Sequence, residues 1–358
     1  MAAAVQSYYN GPVIEKSYQL GAENLVVKRK LSLLLLFGIV ALAASGCGGS
    51  NDGNAATASP GTASVSPTPS GGAGASAETQ SRIVTDEAEH QVEIPADPQR
   101  IWAPYLEDPL TVLGVKPVAQ WTRGDNVISY LKEQLDGLPK IDFGAGGLDP
   151  ENISSHNPDL ILLFASFLGN DGAYEQYAKI APTYSFAMSG TDGLKTLRTL
   201  GELLNKSDIA EQAIADYEAK AADAKERLHA AIGDKPVALV DVAGKTFSLL
   251  GDQYYGGKVL YRDLGLTPTR LVKDAGGEAR DELSLEKIPE LDDAYAIFMI
   301  TEEEGEIFAK EMTDSKLWQS LPAVQQNRVF QADYDYWINS GLIATGRVVD
   351  EALEQLSR

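Results

Sequence analysis

The chain has 358 residues, of which 44% are hydrophobic, a formal charge of −21, one cysteine and three histidines. Such acidity repels nucleic acid and anionic lipid headgroups, which excludes both as electrostatic partners. One cysteine excludes an internal disulfide, a zinc knuckle and an iron–sulfur site, and His90, His156 and His229 are too scattered for a His-rich metal site.

Residues 1–46 read as a signal peptide. Lys28-Arg29-Lys30 is a basic n-region, and Leu31 to Ala44 is an apolar run too short to cross about 30 Å of hydrocarbon. Ala44-Ser45-Gly46-Cys47 looks like a lipoprotein lipobox, with Ala44 where Leu is usual. The expectation is an exported chain tethered to the outer face of the cell membrane through a lipid on Cys47. Residues 1–24 lack any periodicity and read as an over-extended reading frame, with the true start near Leu25 to Val27. Residues 47–81 read as the anchor cysteine and a flexible linker. Gly48 to Gln80 is Gly, Ser, Ala, Thr and Pro, with Val65 as its one large apolar residue. It cannot bury a core, and its reach is roughly 30 Å. A stalk of this length points to a Gram-positive cell surface.

A first lobe is expected over 82–200. Arg82 to Thr85 and Gln91 to Pro95 alternate as two short strands about a polar turn. Strands then alternate with helices: Ile101-Trp102, Pro117 to Ala119, Asp159 to Phe164 and Thr183 to Phe186. Asp108, followed by Pro109, predicts a capped helix start. Ser207 to Ile232 carries apolar residues at 209, 210, 213, 214, 217, 221, 224, 228 and 231, a helical stripe ended by Gly233 and Pro236. This predicts one long connecting helix within 201–233. The strand–helix pattern restarts over 234–358, with strands at Val237 to Val242, Ala294 to Ile300 and Arg328 to Gln331, and a last helix over Leu342 to Leu356. The fold class is α/β, two Rossmann-like lobes with parallel sheets bridged by one long rigid helix.

No catalytic motif stands out, so no enzyme is expected. Gly244-Lys245-Thr246 ends like a phosphate loop, but Leu239 occupies the place of its first glycine. Gly144, Gly146 and Gly147 read as a turn, Glu302 to Glu306 as a solvated acidic loop, and Glu107/Asp108 as one carboxylate pair among many. What remains is aromatic. Ligands of open α/β sheets bind beyond the carboxyl ends of the strands. The loops there hold Trp102, Tyr105, Trp121, Arg123 and Phe167 in the first lobe, and Tyr254, Tyr255, Tyr334, Tyr336 and Trp337 in the second. Flat rings with polar tips suit an amphipathic, partly conjugated ligand, and Arg suits an anionic one.

From Arg100 to the C-terminus the chain resembles the substrate-binding proteins of iron–siderophore and vitamin B12 ABC importers. The phrases that carry this are Pro98-Gln99-Arg100-Ile101, Leu113-Gly114-Val115-Lys116-Pro117-Val118, Leu148-Asp149-Pro150-Glu151-Asn152-Ile153 and Asn157-Pro158-Asp159-Leu160-Ile161. Ile180-Ala181-Pro182-Thr183, Leu283 to Ile288, Trp318 to Val324, Arg328-Val329-Phe330, Trp337 and Gly341 continue them in order. The resemblance implies the helical-backbone periplasmic binding protein fold and capture of a ferric siderophore between the lobes. It implies delivery to an ABC permease and its ATPase, with Glu151 and Glu286 docking on permease arginines. Iron would be held by the siderophore, with no metal ligand or resident cofactor from a monomeric protein. Cobalamin or haem as ligand, or an exported enzyme on a similar frame, are the alternatives. Where hydroxamate-binding relatives often carry an arginine, this chain has Gly144-Ala145-Gly146-Gly147, which leaves Arg123, Arg198 or Arg280 to supply the charge.

Overall fold

The computed structural model describes residues 80–358, apart from 125, 143–147, 169–172 and 188–191, and apart from the side chains of Arg123, Leu168, Arg280 and Asp281. The signal segment, Cys47 and the linker expected before residue 80 lie outside the described residues, as do Gly144, Gly146 and Gly147. Among the described residues, no helix is long and apolar enough to cross a membrane.

Strands β1 (Arg82–Thr85) and β2 (Gln91–Ile94) form an antiparallel hairpin. Its turn is tied down by the buried Asp86 carboxylate, which accepts from the amides of Ala88, His90 and Ser185. The first lobe holds two small sheets. β3 (Ile101–Trp102), β7 (Leu160–Phe164) and β8 (Thr183–Phe186) are parallel in the order β3-β7-β8. β4 (Gln120–Arg123) lies between an antiparallel β5 (Asn126–Val127) and a parallel β6 (Lys140–Asp142). The strand expected at Pro117 to Ala119 begins instead at Gln120. Pro117 has no amide to donate to a ladder, and Val118 makes a single bond to the Ile101 carbonyl before β4 starts.

The second lobe is one five-stranded sheet of β9 (Val237–Ala243), β10 (Thr246–Leu249), β11 (Arg280–Leu283), β12 (Ala296–Thr301) and β13 (Val329–Gln331). Their order across the sheet is β11-β10-β9-β12-β13. β9, β12 and β13 are parallel, whereas β10 and β11 run antiparallel to their neighbours. The sheet is therefore mixed rather than parallel throughout. The Gly244-Lys245-Thr246 phrase supplies the reason: it is the tight turn that folds β10 back on β9, with Ala243 opposite Thr246.

Helix Ser207–Ile232 spans the range its apolar stripe predicts and buries Ala210, Ile214, Tyr217, Ala221, Ala224, Leu228 and Ile232. All of these but Ala221 join a core that contains Leu160, Leu162 and Phe164 of the first lobe and Leu239, Phe298 and Ile300 of the second. The helix thus belongs to one core shared with strands of both lobes. Of the predicted stripe, Ile209 and Ala231 at its two ends are left exposed, and Ile232 is buried where Ala231 was expected.

Close packing in the second lobe yields a paired prediction. A Cβ on Gly256 would lie 2.5 Å from Trp337 Cε3, while one on Gly346 would have its nearest neighbour at 3.8 Å. Gly256→Ala is expected to cost ~1–3 kcal/mol by overpacking, and Gly346→Ala, inside helix Leu342–Leu356, to be neutral or stabilising by up to ~1 kcal/mol. Urea unfolding of the two variants checks the contrast.

Candidate ligand cleft

The chain leaves β3 through Ala103 to Leu106, where Tyr105 takes φ 64°, a left-handed conformation that a bulky residue adopts only under constraint. That turn brings its half-buried ring between two others. Trp121 of β4 stacks on it at 4.2 Å and Phe167, just beyond β7, at 5.0 Å. Phe167 in turn rests edge-on against Phe164 at 6.0 Å. Three of the predicted ligand residues, one from the turn after β3, one from within β4 rather than a loop, and one from just beyond β7, therefore form one platform. The indole nitrogen of Trp121 is buried and has no hydrogen-bond partner among the described residues. The Arg123 side chain lies outside what is described.

Behind the platform sit two carboxyl groups that sequence reasoning passed over. Glu107 is 1% exposed and Asp108 is 3% exposed. Glu107 Oε1 accepts from the Trp121 amide at 3.0 Å. Loss of water raises its pKa to about 8, against the lowering effect of amide hydrogen bonds from Trp121 and its own turn, with the neighbouring Asp108 charge adding to the rise. Asp108 is raised to about 6, again by burial. It does not cap its own helix, Glu107–Val112, as its place before Pro109 suggests. Its oxygens accept instead from the amides of Ile343 and Ala344, at 3.1 and 3.0 Å. The available signal was position: two acids directly after a strand-end turn and directly before Pro109-Leu110.

Two tryptophans expected in the cleft belong to the core. Trp102 is 3% exposed and packs with Ala119, Ile141, Ile153 and Ile161, its ring 5.2 Å from His156. Strand alternation explains this. Ile101 faces the central core, so Trp102 faces the opposite side of the sheet. Trp337 is fully buried, lies 4.8 Å from Phe298 and donates its indole N–H to Glu351 Oε2 at 2.7 Å. Tyr336 donates to the same oxygen at 2.8 Å and meets Tyr130 edge-on at 6.2 Å, on the boundary between the lobes.

Tyr254 and Tyr255 stand side by side at 6.3 Å. Tyr255, at φ 45°, does not join the platform in the first lobe. It lines a small cavity of about 10 Å³ with Gly193, Leu194, Tyr217, Lys258, Ser340 and Thr345, beside the bridging helix. At the carboxyl end of β12, Tyr334 donates to Glu302 at 3.3 Å. Glu151 and Glu286 are both exposed and each is the second residue of its helix, in Pro150–Ser155 and Leu285–Leu291. Arg198, considered as a ligand cation, is paired with Glu211 at 2.9 Å on the helical side. The Arg280 side chain lies outside the described residues.

A family model described as periplasmic binding protein matches residues 115–336. The chain is similar to the iron(3+)-hydroxamate-binding protein FhuD of Bacillus subtilis, at 28% identity over 68% of this chain and 76% of that protein. It is also similar to the probable siderophore-binding lipoprotein YfiY of Bacillus subtilis, at 27% identity over 92% of this chain and 98% of that one. Among solved structures, one of the FhuD fold family matches with a TM-score of 0.67 and 26% identity, over 77% of this chain and all of the other. It is a periplasmic binding protein component of a Fep/Fec-like ferrichrome ABC transporter from Bacillus subtilis.

Proposed function

Since the chain belongs to the periplasmic binding protein family, we propose that it captures a ferric siderophore between its two lobes and delivers it to an ABC permease. The observation that carries this reading is the three-ring platform of Tyr105, Trp121 and Phe167 in the first lobe. Partly exposed flat rings offer apolar area with polar tips, which suits the conjugated groups that wrap ferric iron. Relatives named for ferric hydroxamate and ferric citrate support an iron chelate as the ligand class. On this reading the chain is a lipid-anchored carrier, held at the outer face of the membrane through Cys47, and not an enzyme. Tyr254, Tyr334 and Tyr336 are the second lobe's candidates for contact with the ligand.

Intrinsic fluorescence titration against ferric citrate, ferric hydroxamates, ferric catecholates and cobalamin tests the proposal. One ferric chelate is expected to quench saturably, and Trp121→Ala is expected to weaken it roughly tenfold or more, as loss of a stacked anchor does. Cobalamin as the sole ligand, or quenching by no member of the panel, overturns it. Trp102→Ala and Trp337→Ala serve as contrasts. Both remove core packing, so their expected effect is a loss of stability of ~3–5 kcal/mol, read by urea unfolding.

A further inference from the structure

The bridging helix is not the only member that joins the lobes. Helix Leu342–Leu356 lies along it, held where Lys220 Nζ donates to the Gly346 carbonyl at 2.9 Å and pairs with Asp350 at 2.7 Å. This second helix begins without a cap of its own. Its N-cap residue is Gly341, which has no side-chain acceptor, and its first turn contains no acidic residue. First-turn amides have no intrahelical partner and need one from elsewhere.

The partner comes from the first lobe. Asp108 Oδ1 accepts from Ile343 and Oδ2 from Ala344, the second and third helical positions that an Asp at the N-cap would itself serve. Gly341 makes room for this. A Cβ there would lie 2.1 Å from Asp108 Cγ, so a self-capping side chain and the foreign carboxylate exclude one another. The same boundary carries further ties. The Ser129 amide donates to Asp335 at 2.8 Å, Arg347 donates to the Tyr130 carbonyl at 3.3 Å, and Ile128, Tyr130, Leu131 and Leu135 pack with Ala344.

We propose that Asp108 is a positioning residue for ligand capture: by capping the second lobe's last helix from the first lobe, it sets the spacing of the lobes and so the aperture of the cleft. The inference rests on the cleft reading above. Asp108 follows Tyr105 by three residues, so the clamp and the aromatic platform hang on one loop. A closing motion about the bridging helix has to tilt or break a two-oxygen cap, which limits the lobes to small excursions. A carboxylate at a helix N-terminus also gains from the helix dipole, more so where both are buried.

The test reads lobe spacing and capping without ligand. Spin labels at Lys116→Cys and Lys310→Cys, two exposed positions in opposite lobes, are placed in the full chain carrying Cys47→Ser. Pulsed electron resonance then measures their distance distribution. Asp108→Ala is expected to broaden or shift it, Asp108→Asn to do so less, and siderophore off-rates to rise in the same order. A distribution unchanged in a folded Asp108→Ala variant overturns the proposal, because a cap with only a structural role lowers the unfolding midpoint and leaves spacing alone. Hydrogen exchange on the wild type supplies an arm that needs no variant. The Ile343 and Ala344 amides are expected to exchange as slowly as those of Val348 and Val349; exchange faster by about a hundredfold or more, as in an uncapped first turn, also overturns it. Failure of every chelate to bind the wild type would remove the functional reading while leaving both structural readouts to decide on Asp108.

Discussion

Replacing Glu151 and Glu286 together by alanine is expected to abolish uptake of the chelate by intact cells while leaving its capture by the purified protein unchanged. Each carboxylate is exposed in the first turn of a short helix, behind Asp149-Pro150 in one lobe and Ser284-Leu285 in the other. A carboxylate in that place interacts favourably with the helix N-terminus by only about 0.3–1 kcal/mol, so its loss leaves the fold intact. A charge-assisted hydrogen bond to an arginine across an interface is worth more, about 1.5–3 kcal/mol. Two such bonds lost together amount to about 3–6 kcal/mol, or roughly 10²–10⁴-fold in docking affinity. Each single variant is expected to show a partial defect. The measurements are radiolabelled iron accumulation in cells and fluorescence titration in solution. Normal uptake by the double variant would remove the docking assignment, whatever the ligand proves to be. Impaired capture in solution would instead mean that the two glutamates act on the ligand or the fold.

The parts of this molecule that were legible in its sequence are those decided by local pattern. Helix Ser207–Ile232 shows itself because one face of it is buried along its whole length, which forces a period of 3.6 on the apolar residues. Helix Leu342–Leu356 is legible for the same reason, and β8 (Thr183–Phe186) as a short run of β-branched and aromatic residues that is buried throughout. Strand-end position likewise pointed to Tyr105, Trp121 and Phe167; Trp121 lies within β4 instead, yet its ring and that of Phe167 both stack on Tyr105. Where the outcome depends on the far side of a chain crossing, local pattern fails. Trp102 and Tyr105 are three residues apart at the same strand end, yet a single step of the pleat sends Trp102 into the outer core. Trp337 stands in an aromatic cluster like a cleft residue, but Glu351 and Phe298 hold it inside. Asp108 carries a correct cap signal for the wrong helix: the amides it serves are 235 and 236 residues away.

Glu107→Gln is expected to stabilise the protein at pH 8.5, to leave it nearly unchanged at pH 5, and to flatten the decline in stability between them. The buried Glu107 carboxyl keeps its proton up to about pH 8, because burial strips water from the charged form and Asp108 adds a like charge beside it. In the unfolded chain the same group ionises at its ordinary value of 4.5. Between those two values the native state binds a proton that the unfolded state has released. The contribution is therefore fully present below pH 4.5 and is lost as pH rises through about 8. Its full span is on the order of 4 kcal/mol. Asp108 acts in the same direction over a lower window, from 3.8 to about 6, so Glu107 dominates above pH 6. The group facing this pair from another element is Tyr130, whose own proton is held more tightly by burial and by Asp108; the Asp335 charge and the Arg347 guanidinium in turn lie near Tyr130. Two adjacent buried carboxyls do not both ionise cheaply, so a neutral Glu107 is what lets Asp108 carry the charge that caps the last helix. Gln reproduces the neutral acid: one oxygen to accept from the Trp121 amide, and N–H where the acid has O–H. The overall charge of −21 also lowers stability as pH rises, so the slope of the wild type alone does not identify Glu107. The difference between the two proteins does. Urea midpoints at pH 5, 7 and 8.5 decide it: parallel curves for wild type and Glu107→Gln would mean that Glu107 is already ionised in the fold, and that the pair is held as two charges rather than one.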